Sequence, residues 1–89
     1  MGITFSPEAI EDYEYWKSNP TVTYRIKRLL KDISEHPYTG IGKPERLRYN
    51  LSGKWSRRIS NEHRIVYVVR EDMNDVYIMA LRYHYSRKT

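Results

Sequence analysis

Cysteine is absent from the 89 residues, so neither a disulfide nor a thiolate metal site braces the fold, a composition that fits a reducing cytoplasm. Long apolar runs are absent too. The longest, Val76 to Leu81, is six residues, against the roughly 20 needed to span a bilayer, so no membrane association is expected. No charged segment followed by an apolar one opens the chain, and a signal peptide is not expected. The opening MGITFS matches the spacing of a myristoylation signal, but a strand begun by Ile3 and Phe5 and a helix capped by Ser6 account for the same residues. A Walker loop, a nucleophile elbow and a dinucleotide fingerprint are all missing. The three histidines show no close ligand spacing, so neither a metal nor a cofactor is expected.

What the chain does have is tyrosine and positive charge. Nine tyrosines lend large rings, each with a hydroxyl for the wet boundary, to a composition only 39% hydrophobic. The length corresponds to one domain, residues 1–89, and a chain this small buries only about 60–65% of its unfolded surface. Charge is divided unevenly along it. Residues 1–44 carry six Lys/Arg and six Asp/Glu, while residues 45–89 carry ten and five, so the second half holds the whole formal net charge of +5. A neutral scaffold joined to a basic half suits a polyanion, although a merely soluble basic surface has the same composition.

Local signals divide the chain without repeats or linkers. GITF reads as a short strand. Ser6, Pro7 and Glu8 then supply a capping hydroxyl, a proline at the first helical position and an acid near the positive end of the dipole. Ile10, Tyr13 and Trp16 share a face of this helix, which runs to about Lys17. Asn19-Pro20 opens a second helix with an amphipathic stripe of Val22, Ile26, Leu29, Leu30 and Ile33, ended by Pro37. YTGIGKPE is a loop. Beyond it the period becomes two, with strands expected near 46–51, 54–60, 63–70 and 75–83 and turns at Ser52-Gly53, near Asn61-Glu62 and at EDMND. The predicted fold is α+β: a small, twisted, mostly antiparallel sheet in β-α-α-β-β-β-β order, with both helices packed on one face.

The stretch SGKWSRRISNEHRIVY sets the central question, because Arg57, Arg58, His63 and Arg64 crowd a hairpin that ought to build the core. Opposing Ile59 to Ile65 puts Trp55, Ile59, Ile65, Tyr67 and Val69 on one side and Arg58, Arg64, Val66 and Val68 on the other. On the last strand Ala80, Arg82 and His84 share a face, with Met79, Leu81 and Tyr83 opposite. If the helices cover the Trp55, Ile59 and Leu81 side, the other presents Arg58, Arg64, Arg82 and His84. The arginines then stand on the uncovered face.

Glu45, inside GKPERLR, adds a carboxylate to this set. Such a group needs no metal if the substrate is RNA, whose 2′-hydroxyl can attack its own phosphodiester. Glu45 would be the base, His84 the acid, and Arg64 with Arg58 the clamp on the extra phosphoryl charge, since a planar guanidinium meets two phosphate oxygens. Lys43, Arg48 and Arg82 are further candidates for phosphate contacts. Each residue also has a plainer reading: Glu45 as a surface partner of Arg46 and Arg48, His84 as an exposed residue near the chain end, the arginines as a seat for a partner's acids. His36 and His63 fall at a helix end and a turn and are assigned no chemistry.

The run GKPERLRYNLSGKWSRRISNEHRIVYVV and the closing RYHY resemble the YoeB branch of the RelE superfamily of bacterial toxins from type II toxin–antitoxin pairs. The likeness extends from DYEYW in the first helix to Tyr85. It implies a RelE-like fold and a cytoplasmic, ribosome-associated mRNA endoribonuclease that cuts the message in the decoding site. It also implies neutralisation by a cognate, YefM-like antitoxin, and repression of the operon through that antitoxin on operator DNA. A homodimer is compatible with it, though no stretch marks a dimer seam. By the same resemblance Glu45 matches the proposed base, Arg64 the arginine for transition-state charge and Arg58 a phosphate-binding residue. His84 and Tyr85 match the terminal His-Tyr pair, with His84 as acid. Arg48 stands where the best-known member has lysine, and SRKT follows Tyr85 where that member ends, so no terminal carboxylate is expected beside Tyr85. Superfamily relatives that poison gyrase share the fold without this acid–base set, which makes a non-catalytic binding toxin the alternative.

Overall fold

Capping chemistry shapes the first half of the chain as the sequence indicates. In the computed structural model, which describes residues 1–82, strand β1 (Gly2–Phe5) leads into helix α1 (Pro7–Trp16) and then helix α2 (Pro20–Glu35). The Ser6 hydroxyl accepts from the Ala9 amide at 3.0 Å. Asn19 Oδ1 accepts from the Val22 amide at 3.2 Å. Each bond satisfies an amide that the first helical turn leaves unpaired.

Four further strands follow: β2 (Glu45–Arg46), β3 (Trp55–Arg58), β4 (Arg64–Arg70) and β5 (Asp75–Ala80). They form an antiparallel meander, and β1 adds parallel to β5, giving the order β1-β5-β4-β3-β2. The expected α+β sheet with two N-terminal helices is therefore present. Its main core joins Ala9 and Trp16 of α1 and Ile26, Leu29 and Ile33 of α2 to Ile59, Ile65, Tyr67, Val76, Ile78 and Leu81.

Several local expectations are corrected. Ile10 is 52% exposed; the buried face of α1 carries Ala9, Asp12 and Trp16 instead. The reason is polar, because the Asp12 carboxylate accepts from the Leu81 amide at 2.8 Å in the interior. The strand expected over 46–51 ends at Arg46. Tyr49–Leu51 forms a 3-10 turn with Tyr49 at φ +61°, and Leu47 and Leu51 fold over Val66, Met79 and Ala80 as a second apolar cluster. The strands expected over 54–60 and 63–70 contract to β3 and β4, and residue 83, placed at the end of the last one, lies outside the described residues.

The hairpin register differs too. Arg57 opposes Ile65 and Arg58 opposes Arg64, where Ile59 was expected to oppose Ile65. The amides of Ile59 and Ser60 both bond to the His63 carbonyl, at 2.9 and 3.2 Å, so residues 59–63 form a wider turn. Arg25 of α2 holds it by donating to the Ile59 carbonyl at 2.9 Å and the Arg58 carbonyl at 3.1 Å. A shift of two residues leaves each side chain on its face. It follows that Arg57, between Trp55 and Ile59, lies on the helix-covered side and not with the other arginines on the open side.

Strand β5 contains a bulge. Tyr67 pairs with Ile78 and Val66 with Ala80, so Met79 is an extra residue. It changes the alternation: Val76 and Ile78 enter the main core, Ala80 crosses to the Leu47 cluster, and Leu81 returns to the core. Ser6 holds the bulge by donating its amide to the Ile78 carbonyl at 2.9 Å and its hydroxyl to the Met79 carbonyl at 2.9 Å.

Candidate functional site

The end of β3 and the starts of β4 and β2 enclose an open cleft of about 300 Å3, lined by Lys43, Pro44, Glu45, Arg58 and Arg64. Alternation explains the grouping. Glu45 pairs with Ser56, so it shares a face with Arg58, and Arg58 pairs with Arg64. Four sequence candidates, Lys43, Glu45, Arg58 and Arg64, thus converge on one cleft. Glu45 is exposed and the two arginines are half-buried. Arg58 Nε is buried and has no hydrogen-bond partner among the described residues. Arg64 Nη1 donates to the Ser60 carbonyl at 2.7 Å and to the His63 carbonyl at 3.1 Å, which aims the guanidinium through the hairpin turn.

A buried arginine positions the loop that carries Lys43 and Glu45. Arg57 is wholly buried. Its Nη1 donates to Asp32 Oδ2 and to the Ile41 carbonyl, its Nη2 to the His36 and Thr39 carbonyls, and its Nε to the Tyr67 hydroxyl. Tyr67 in turn donates to the Pro37 carbonyl at 2.8 Å. Three loop carbonyls and one helix carboxylate therefore meet a single guanidinium, whose donor fork suits such a set. Asp32 also accepts from the Ile41 amide at 3.0 Å. Partial burial works to raise the Asp32 pKa, but the Arg57 hydrogen bond, the Ile41 amide and the Arg57 charge outweigh it and hold the carboxyl below its ordinary value of 3.8. Gly40 permits the wrap: its φ is +124°, and a Cβ there would stand 1.9 Å from Asp32 Oδ2. Past this knot the Arg58 amide donates to the Gly42 carbonyl at 2.7 Å, which seats the loop beside β3.

The other candidates lie elsewhere. Arg48 is exposed, just before the 3-10 turn, and does not line the cleft. Arg82, expected on the open face with Arg58 and Arg64, sits against α1 with its guanidinium carbon 3.5 Å from the centre of the Tyr15 ring. The bend after β5 turns it there. His84 and Tyr85 lie outside the described residues, but the chain leading to them is anchored. Asp12 takes the Leu81 amide, and Trp16 Nε1, one turn further along α1, donates to the Leu81 carbonyl at 2.8 Å. Trp16 also packs edge-on to His63, with ring centroids 4.9 Å apart, so the hairpin turn and the chain exit share one support. Among the described residues no group of three His, Asp or Glu side chains is placed to hold a metal ion.

Sequence reasoning passed over Arg57, Asp32 and Asp12. For Arg57 a signal existed, since period two places residues 55, 57 and 59 together. Asp32 and Asp12 carried none, because nothing local distinguishes a buried helical carboxylate from a solvated one.

Comparison with known proteins adds to this geometry. Residues 5–85 match the family described as the YoeB-like toxin of bacterial type II toxin–antitoxin systems. The chain is 49% identical over 86 residues to Toxin YoeB of Streptomyces coelicolor, covering 96% of this chain and all of that one. A YoeB/ParE toxin from Agrobacterium tumefaciens superposes with a TM-score of 0.91 at 34% identity, covering 96% of this chain and all of that one. Structures from Staphylococcus aureus, a YoeB–YefM complex and a YoeB dimer, superpose with TM-scores of 0.84 and 0.85, each at 47% identity over 96% of this chain and 98% of theirs. A fold, a sequence and a family pattern that agree over nearly the whole length leave one assignment: the chain belongs to the YoeB-like toxin family of bacterial type II toxin–antitoxin systems.

Proposed function

We propose that this toxin is a ribosome-dependent mRNA endoribonuclease that cuts the message in the decoding site. The observation that carries the reading is the grouping of Glu45 with Lys43, Arg58 and Arg64 in one open cleft. Glu45 takes the proton of a 2′-hydroxyl as its oxygen bonds to the adjacent phosphorus. Arg58 and Arg64 meet the charge that builds on the phosphoryl oxygens, and Lys43 and Arg48 contact flanking phosphates. His84, with Tyr85 beside it, protonates the 5′-oxygen as its bond to phosphorus breaks. The products are a 2′,3′-cyclic phosphate and a 5′-hydroxyl, and protons balance between base and acid. These steps call on no metal at the scissile bond. Positioned acid–base groups typically contribute about 10²–10⁴-fold each, so the remaining rate depends on how the ribosome orients the message.

The Staphylococcus aureus YoeB–YefM complex supports a cognate, YefM-like antitoxin; an acidic segment of that antitoxin would cover the basic cleft by charge, and operator DNA would be met through it. The YoeB dimer from the same organism supports a homodimer. A bacterial cytoplasm, where ribosomes are, is the matching compartment. Among the described residues no helix is long and apolar enough to cross a membrane.

The deciding experiment is primer extension on a translated message after induction, comparing the native chain with Glu45→Ala, Arg64→Ala and His84→Ala. Native protein should leave breaks with cyclic-phosphate ends, and each variant should lose them while keeping its circular dichroism. Full cutting by the variants defeats the assignment of the site. No cutting by the native chain, with salt-sensitive RNA affinity retained, hands the function to the non-catalytic alternative.

A further inference from the structure

On the other side of edge strand β2 lies a second, larger cleft of about 620 Å3, lined by Tyr38, Arg46, Ser52, Gly53, Trp55 and Glu71. β2 separates the two. Glu45 pairs with Ser56 and faces the first cleft, whereas Arg46 pairs with Trp55 and faces the second. Trp55 is half-buried and Tyr38 is 40% exposed. Their rings meet at 52° with centroids 5.2 Å apart, a tilted contact that forms one aromatic wall of the cleft. The Arg46 guanidinium carbon stands 5.6 Å from the indole centre. Tyr38 donates its hydroxyl to Glu71 Oε2 at 2.8 Å, and that bond, first among the causes, raises the phenol's pKa and keeps it a donor. The bond from Tyr38 orients the exposed Glu71 carboxylate through Oε2.

A half-buried indole, a guanidinium beside it and an oriented carboxylate form a set that fits a nucleotide. A base stacks on the ring, its phosphate meets the cation, and the carboxylate accepts from an N–H edge. Guanine suits Glu71 best, because its N1–H and N2–H2 donors lie side by side, while uracil offers one donor flanked by acceptors. An acidic peptide would meet Arg46 but be repelled by Glu71, so charge favours the base over such a partner. The volume falls within the range of small-ligand sites. We propose that this cleft is a nucleotide subsite for single-stranded RNA, with guanine against Trp55, its donor edge on Glu71 and its phosphate on Arg46. The biological sense of the subsite rests on the RNA reading above; its test does not.

The full chain has two indole N–H resonances to follow by NMR during titration with 5′-GMP, 5′-AMP, 5′-CMP, 5′-UMP and inorganic phosphate. Trp16 Nε1, bonded to the Leu81 carbonyl in the core, serves as the internal control. GMP should move the Trp55 resonance and leave that of Trp16 still, with an affinity several-fold above that for AMP or the pyrimidines. Arg46→Ala should weaken GMP binding by about ten-fold, the loss of one charge-assisted contact. Glu71→Gln should erase the guanine preference while binding persists. Arg46 and Glu71 are exposed, so both variants should melt with the native protein. The proposal is overturned if all four nucleotides or phosphate alone move Trp55 equally, if millimolar GMP leaves it still, or if both variants bind GMP as the native chain does. It is overturned equally if an acidic peptide shifts Trp55 and GMP does not, which marks a protein-docking surface. GMP binding without message cleavage would sink the nuclease reading and spare the subsite; cleavage without GMP binding would do the reverse.

Discussion

Arg58 and Arg64 stand directly opposite each other across the β3–β4 pair, two guanidinium side chains on one face of the sheet. Like charges in that relation oppose folding, and an anion between them relieves the conflict. Replacing one should therefore help the fold and harm the function. Arg58 is the cleaner choice, because Arg64 also holds the turn carbonyls. Arg58→Met should raise the melting temperature by about 1–8 °C, from relief of about 0.2–1 kcal/mol. Message cleavage should fall by about 10²–10³-fold, and the salt dependence of single-stranded RNA binding should lose about 0.7 of slope. A lower melting temperature with normal cleavage would contradict this account of the cleft.

Gly40 and Gly53 offer a matched comparison. Both have positive φ, at +124° and +91°. A Cβ at Gly53 meets nothing within 4 Å, so Gly53→Ala should cost only the backbone term of about 1–2 kcal/mol. A Cβ at Gly40 would strike the Asp32 carboxylate that holds Arg57. Gly40→Ala should destabilise considerably more in urea unfolding, and it should cut cleavage in the fraction that remains folded, because the loop leading to Glu45 is displaced. Equal losses at both positions would remove the loop-positioning role given to Asp32 and Arg57.

Acid should expose the same pair. Asp32 has a folded pKa below its ordinary 3.8, so its ionised form is favoured by folding. Its contribution is complete above that ordinary value and is lost as pH falls through the lower folded value. Asp75 behaves alike, lowered chiefly by its hydrogen bond from Arg70, with partial burial opposing and Thr4 assisting. Urea unfolding should therefore show stability falling below about pH 4. Asp32→Asn should flatten that acid limb while costing about 3 kcal/mol at neutral pH, where buried Arg57 loses its counter-charge. An unchanged acid limb in the variant would show that the pair is not what titrates.

The Leu81 clamp predicts a loss of rate without a loss of binding. Trp16→Phe removes the donor to the Leu81 carbonyl, at a cost of about 1–2 kcal/mol. The chain beyond Leu81 leads to His84, the proposed acid, so single-turnover cleavage should slow while RNA affinity, for which Arg58 and Arg64 are proposed, should hold. Slower cleavage accompanied by equally weaker binding would point to general unfolding instead.

Much of this was readable from residue order alone. Ser6-Pro7 and Asn19-Pro20 mark both helix starts because caps are local chemistry. Arg58 and Arg64 could be placed on one face because alternation decides which face a strand residue takes, whereas Glu45, read as a loop residue, joins them only through its pairing with Ser56. The hairpin register was not readable, since a slip of two residues preserves every face and so leaves no trace in the pattern. Nor was the Met79 bulge, which Ser6 holds from 73 positions away.

By itself, then, the order of residues determined the helices, the period of the sheet, the basic half and the shared face of Arg58 and Arg64, while the strand pairing that brings Glu45 to them is tertiary. Alternation puts Arg57 on the inner face with Trp55 and Ile59, but only tertiary structure decided that a guanidinium could stay buried there. A charge can be buried only where partners gather, and those partners arrive from a helix, a glycine loop and the facing strand. Tertiary structure decided likewise that Leu47 and Leu51 close over part of the open face, and that Arg82 rests on α1. Burial and charge pairing sum over the whole fold, and no local pattern can carry that sum.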